Sequence, residues 1–282
     1  MIRQKSFENK RPTLYLVPTP IGNLSEMTPR ALEVLRSVDV IACEDTRNSG
    51  QLLKHFDISK RLIACQNFNE ESSSKGIVKL LSEGNDVALI SDAGYPLIND
   101  PGQRVVMDAS GAGFNVVPVS GCSAFLNALV ASGLAAQPFL FIGFLPSGST
   151  DRVKKLKEYK EYPMTMVFYE APHRIEKMLK DLLEVFGDRR CTIARELTKL
   201  HEEFLRGTVS ELLEVVAELR GEMVVVVDGC HDDPGAKVTE EDILNMVDHF
   251  VDGGMSTSMA IKTVAKETGI AKNKIYDLVH GD

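Results

Sequence analysis

Nothing in the chain approaches the ~20 consecutive apolar residues that cross a bilayer, and the polar start Met1 to Arg11 has no apolar signal-peptide core. A soluble, unexported protein of the cytoplasm with no membrane partner is therefore expected. Cysteine is sparse. The five cysteines, Cys43, Cys65, Cys122, Cys191 and Cys230, contain no C-x-x-C pair, which argues against a disulfide framework and a zinc site. The six histidines are dispersed and no carboxylate cluster has ligand spacing, so no metal is expected. Excess positive charge is absent as well. At a net charge of -8, a polyanionic partner must be met by a local basic surface rather than by the whole molecule. Neither G-x-x-x-x-G-K-[ST] nor G-x-G-x-x-G occurs, so a phosphate cradle has little support.

What is present is 282 residues, 44% of them hydrophobic, in which strand and helix patterns alternate for most of the length. That alternation predicts an α/β protein with a mainly parallel sheet flanked by helices. Two domains, 1–135 and 136–232, follow from the turn-rich break Gly133 to Pro138, with a helical tail over 233–282. The organising stretch is Ser91-Asp92-Ala93-Gly94-Tyr95-Pro96-Leu97-Ile98-Asn99-Asp100-Pro101-Gly102, directly after the apolar run Asp86 to Ile90. In an open α/β sheet, ligands bind at the carboxyl ends of strands, where this loop would sit.

Other strands end in similarly loaded loops. Thr13 to Val17 leads into Pro18-Thr19-Pro20-Ile21-Gly22-Asn23-Leu24, and Asp39 to Cys43 into Glu44-Asp45-Thr46-Arg47. The latter residues suit helix capping and substrate contact equally. Asn115 to Val119 leads into Ser120-Gly121-Cys122-Ser123, whose small side chains let a helix start approach a ligand. Met164 to Tyr169 delivers Glu170-Ala171-Pro172-His173-Arg174, and Cys191 to Ala194 delivers Arg195-Glu196-Leu197-Thr198-Lys199. Gln66 to Ser74 reads as a polar surface loop, and Thr208 with Glu211 as a capping box. Glu222 to Val227 reads as a strand buried on both faces. From Thr239 onward a helix, a glycine turn and a second helix starting near Lys272, Asn273 and Lys274 have helix-turn-helix spacing, although a small helical cap has the same pattern.

In this order, the motifs resemble those of the tetrapyrrole methylase superfamily of S-adenosylmethionine (AdoMet)-dependent enzymes. Within it they are most similar to the ribose 2′-O-methyltransferases of a decoding-region cytidine in 16S rRNA. The resemblance covers about Leu14 to Gly229, and the tail more loosely around Lys272-Asn273-Lys274 and Tyr276. It implies the two-domain tetrapyrrole methylase-like (class III AdoMet methyltransferase) fold, AdoMet in the cleft between the domains, the small ribosomal subunit as partner and a homodimer. For AdoMet it implies Pro18, Ile21, Asp92, Ala93, Gly94, Tyr95, Ser120, Gly121, Cys122 and Ser123, with Phe168, Tyr169, Leu197 and Met223 from the second domain. The sequence departs from the family pattern twice: Tyr95 stands for a usual threonine, and Ser120-Gly121-Cys122-Ser123 for a proline-glycine-proline opening.

Transfer to a hydroxyl benefits from a base at hydrogen-bond distance. Glu44, Asp45, Glu170 and Lys199, the last if its amine were neutral, are the candidates at the strand mouths. Arg47, Arg174, Arg195, Lys199, Lys272 and Lys274 are candidates for RNA phosphate contacts. The same fold also serves methylation of a small tetrapyrrole, and a non-catalytic AdoMet-sensing nucleic-acid binder is a more remote reading.

Overall fold

The computed structural model describes residues 3–66, 70–231, 240–268 and 270–281. The chain packs as two units, Met1–Cys230 and His231–Asp282.

The first unit holds two five-stranded sheets. One is made of β1 (Thr13–Val17), β2 (Val40–Cys43), β3 (Arg61–Ala64), β4 (Val87–Ile90) and β5 (Asn115–Pro118), in the order β3-β2-β4-β1-β5. Every pairing in it is parallel. The carboxyl ends of all its strands therefore lie on one edge. Helices α1 (Pro29–Ser37), α2 (Thr46–His55), α3 (Glu70–Ser82), α4 (Gln103–Gly111) and α5 (Ala124–Ala131) connect and follow the strands. β2 and β4 are buried throughout, with their side chains divided between two apolar clusters on the two faces.

The other sheet contains β6 (Phe139–Phe144), β7 (Thr165–Glu170), β8 (Arg190–Arg195), β9 (Glu203–Thr208) and β10 (Met223–Val227), in the order β6-β7-β10-β8-β9. Only β6 and β7 run parallel, so the expectation of a mainly parallel sheet fails here. The cause is local. β8 turns into β9 through Glu196 to Glu202 with no helix between them, and a short connection of that kind forces an antiparallel pair. β10, at the centre, is buried at every position as expected. α6 (Ser149–Lys157), α7 (Ile175–Phe186) and α8 (Val209–Val215) complete this half. α7 buries Met178, Leu179, Leu182, Val185 and Phe186, the spacing of one helical face, and the Thr208–Glu211 capping box opens α8.

The expected polar loop Gln66 to Ser74 is also corrected. Residues 67–69 lie outside the described ones, but α3 already starts at Glu70. Two of its polar side chains serve α4: Glu70 Oε1 accepts from the Gly102 and Arg104 amides, and the buried Ser74 donates to Asp108 Oδ2 at 2.7 Å.

The second unit contains α9 (Glu240–Asp252), α10 (Thr257–Thr268) and α11 (Lys272–His280), around Ile243, Val247, Ala260, Ile261, Val264 and Ile275. Lys272 and Lys274 occupy the first turn of α11, as the spacing predicts. Among the described residues no helix is long and apolar enough to cross a membrane.

Candidate active site

Three loops at the carboxyl edge of the parallel sheet are tied into one floor. Thr19 and Gly94 exchange backbone hydrogen bonds of 2.9 and 3.0 Å. Ser91 Oγ donates to the Gly94 carbonyl at 2.7 Å, and Thr19 Oγ1 to the Ser91 carbonyl at 3.1 Å. Gly94 has φ +78°, a conformation glycine adopts without cost. Gly121 lies so close to the Pro18 ring that a Cβ there would overlap it. The Gly121 amide donates to the Tyr95 hydroxyl at 3.0 Å, so the two departures from the family pattern touch each other.

Above this floor opens a cleft of about 450 Å³, within the ~300–1,000 Å³ range of small-molecule sites. Of the expected cofactor residues, Ile21, Asp92, Ala93, Gly94, Tyr95, Ser123, Tyr169, Leu197 and Met223 line it. Pro18, Ser120, Gly121 and Cys122 do not. Pro18, Gly121 and the Cys122 carbonyl stand behind the lining loops, and the Ser120 carbonyl accepts from Thr28, the N-cap of α1. Phe168 is a correction: it is 0% exposed and packed in the core on the other face of β7. Successive strand residues face opposite ways, so Phe168 and Tyr169 cannot both reach the cleft. Tyr169 heads an aromatic wall, 5.1 Å from Phe141 and 5.5 Å from Phe144 between ring centres.

The expected bases separate by their partners. Asp45 is the N-cap of α2, accepting from the Arg47 amide at 2.8 Å. Glu170 has its side chain fully buried, 3.1 Å from Arg174 Nε, and accepts from the Ala171 amide. Lys199 bonds Glu196 at 3.0 Å and Glu222 at 2.8 Å. Burial alone pulls its pKa down, but the bonds to Glu222 and Glu196 outweigh this and leave it above the ordinary lysine value. The two carboxylate partners favour the ammonium form of Lys199. Two expected RNA contacts are also spent internally. Arg174 donates to the Leu145 carbonyl at 2.8 Å, and Arg195 pairs with Glu203 and donates to the Arg220 carbonyl. Arg47 is exposed and, among the described residues, forms no ion pair.

Asp100 belongs to the organising loop but is not among the residues expected at the site. The structure puts it in the cleft wall, where its carboxyl meets that of Glu44. Burial, then the Glu44 carboxylate and then Asp92 push its pKa up to about 7. Asp100 in turn helps burial raise the Tyr169 phenol, against a backbone hydrogen bond from Phe125. Asn99, equally missed, leaves the same loop to lie on Gly143 at a bulge of β6, 2.8 Å from where a Cβ would stand. Asp92 accepts from Asn48 Nδ2 at 3.0 Å and also borders a smaller hollow of about 190 Å³. Among the described residues, no three His, Cys, Asp or Glu side chains gather closely enough to hold a metal ion.

The folded protein holds the Asp100 proton more tightly than an unfolded chain would, so this group costs stability as pH rises from about 4 to 7. Asp100→Asn is expected to raise the thermal midpoint of the ligand-free protein at pH 8 by roughly 2–4 °C, after discounting for its partly exposed position, and not at pH 4.

Residues 13–213 match the family described as Tetrapyrrole (Corrin/Porphyrin) Methylases. The chain belongs to this family. Among curated relatives of this tetrapyrrole methylase, the ribosomal RNA small subunit methyltransferase I of Bacillus subtilis (strain 168) is 42% identical, covering 99% of this chain and 98% of the relative. The protein of that name from Micromonospora olivasterospora is 44% identical over 95% of this chain and 86% of its own. Solved structures of the same fold include the uroporphyrin-III-C-methyltransferase from Thermus thermophilus, with TM-score 0.54, 21% identity and coverage of 77% of this chain and 94% of that one. Diphthine synthase, with TM-score 0.58 and 13% identity, covers 77% and 90%.

The tetrapyrrole methylase is a methyltransferase whose methyl donor is AdoMet, and the cleft fits that donor. Its carboxylates Asp92, Asp100 and Glu222 suit a cationic ligand, the Tyr169 and Phe144 rings offer flat apolar faces, and the loops give backbone donors and acceptors. Tyr95→Phe removes the acceptor of the Gly121 amide. AdoMet affinity, read by calorimetry, is expected to fall about tenfold, the effect of one lost hydrogen bond in a ligand floor.

Proposed function

We propose that this methyltransferase transfers the AdoMet methyl group to the ribose 2′-oxygen of a cytidine in the decoding region of 16S rRNA, on the 30S subunit in the cytoplasm. One observation carries the reading. The similarity to ribosomal RNA small subunit methyltransferases I runs over nearly the whole chain, the helical unit included, whereas the solved uroporphyrin and diphthine enzymes cover 77% of it.

In this proposal, 1–135 and 136–232 act as two domains around the cleft, and 233–282 is an RNA-contacting tail. Arg47, at the first turn of α2, and Lys272 and Lys274, at that of α11, are exposed and suited to phosphates. Arg174 and Arg195 keep a supporting role, since their internal bonds hold the strand ends that line the cleft. A homodimer is part of the proposal, supported by Leu126 and Val130, one helical turn apart on α5 and 44% and 67% exposed.

AdoMet supplies an already electrophilic methyl group on a cationic sulfur. The chain supplies position and dryness. Ile21, Leu197 and Met223 line the cleft and would exclude water, Asp92 would suit the positive charge or a hydroxyl of the donor, and the Gly94 loop would bound it from below. The reading is tested by offering labelled AdoMet with 30S subunits, with free small-subunit rRNA and with a corrin or porphyrin. Label in the RNA is expected. Label only in the tetrapyrrole overturns the proposal.

A further inference from the structure

We infer that Asp100 is the proton acceptor for the hydroxyl that is methylated, and that Glu44 behind it is the positioning residue that lets the two carboxyls share one proton. The inference rests on the reading of the cleft as a site of methyl transfer to oxygen. Of the acids and bases at the strand mouths, Asp45 caps a helix, Glu170 is held by Arg174, and Lys199 is a paired ammonium. Asp100 alone joins a place in the cleft wall to a second carboxyl in contact with it. Glu44 follows β2, which is hydrogen-bonded to β4, so the two loops meet at one edge of the sheet.

The surroundings set the direction of the titration. Glu44 from the β2 end, Asp92 from the β4 end and the Tyr169 phenol of β7 face Asp100, and Glu170 and Glu222 line the same cleft. On the α3 side, Glu70 caps the end of the Asp100 loop at Gly102. Two cations tied to cleft-lining carboxylates, Arg174 and Lys199, are already neutralised by Glu170 and by Glu196 with Glu222, and Arg47, three residues after Glu44, is exposed and forms no ion pair among the described residues. Among the described residues, none of Glu44, Asp92 and Asp100 takes part in an ion pair with lysine or arginine. Close carboxyls of this kind cannot both ionise freely.

In the transfer, the hydroxyl oxygen forms its bond to the methyl carbon while the carbon–sulfur bond breaks, its electron pair staying on sulfur. The hydroxyl proton passes to an Asp100 carboxylate oxygen, and the Asp100–Glu44 pair later releases it to water. A cationic ligand in the cleft favours the ionised pair, and loss of that charge restores the pair's appetite for a proton. The acceptor therefore strengthens as the reaction proceeds.

Calorimetry in buffers of different ionisation heat tests this without RNA. At pH 7, AdoMet binding is expected to release up to about half a proton, the fraction bound by a group titrating there. S-adenosylhomocysteine is expected to release almost none, and Asp100→Asn and Glu44→Gln should each remove the release. In single-turnover transfer to 30S subunits, Asp100→Asn should be slower by about 100-fold with AdoMet affinity kept within about tenfold. Glu44→Gln should move the midpoint of the pH–rate profile down by at least about one unit and keep most of the rate at pH 8. Proton release that persists in Asp100→Asn, or transfer by that variant at the wild-type rate, overturns the inference. A wild-type chain that releases the proton but labels no RNA overturns the substrate reading and not the carboxyl pair.

Discussion

Gly121→Val is expected to abolish measurable AdoMet binding. A Cβ at this position would overlap the Pro18 ring, whose closed geometry cannot rotate away, so the β5–α5 loop must lift. Lifting it breaks the Gly121 amide bond to Tyr95 and moves Ser123, which lines the cleft at the start of α5. The other end of the disturbance is Thr19, next to Pro18 and bonded on both sides to Gly94. One added side chain thus shifts all three floor loops. Calorimetric affinity should fall by more than about 100-fold, beyond the loss of any single contact, because the donors of a preorganised site lose their alignment together. Overpacking of this kind also costs about 1–3 kcal/mol of stability. Gly76→Ala is the matching control: Gly76 sits in α3 with nothing within 4 Å of an added Cβ, and gaining alanine there should leave binding unchanged and add up to ~1 kcal/mol.

The largest expected loss of stability lies at a buried ion pair whose residues do not line the cleft. Arg152 of α6 is 1% exposed, and its Nε lies 2.5 Å from Asp181 Oδ2 of α7, itself about 10% exposed. Ser149 completes the Asp181 shell at 2.9 Å, while the Pro146 and Ser147 carbonyls take further Arg152 protons. Asp181→Ala leaves a guanidinium in the interior without its counter-charge, a defect of about 3–5 kcal/mol. Its thermal midpoint should fall on the order of ten degrees. Because the pair is costly to desolvate in the first place, the double change Arg152→Met with Asp181→Leu should recover most of that loss. A midpoint equally low in the double variant would show that packing, not the unpaired charge, is responsible.

The contrast between these two places shows what the sequence reveals. Strands such as Thr13 to Val17 and Arg61 to Ala64 are plain as short apolar runs, and the polar residues after them mark the edge where the cleft forms. Which face a residue takes is not local information. Phe168 and Tyr169 are chemically alike, yet the pairing of β7 with β10 sends one to the core and the other to the cleft. Glu170 and Arg174 are four positions apart, a spacing that allows an ion pair, but that the Glu170 side chain is fully buried within the pair depends on packing. Asp100 and Glu44 are 56 positions apart, and their meeting depends on β2 and β4 lying side by side. Gln66 to Ser74 looks like a loop because the partners of its polar residues, Gly102 and Asp108, are remote in sequence.

What separates ribose from base methylation is the identity of the methylated atom. Its most direct measurement is mapping of the product by resistance to alkaline cleavage, after incubation of AdoMet with small subunits that lack the modification. A single new resistant linkage 3′ of one decoding-region cytidine is the predicted result, since alkali needs a free 2′-oxygen at that ribose. A labelled RNA whose linkages all remain cleavable would place the methyl on a base and contradict ribose methylation.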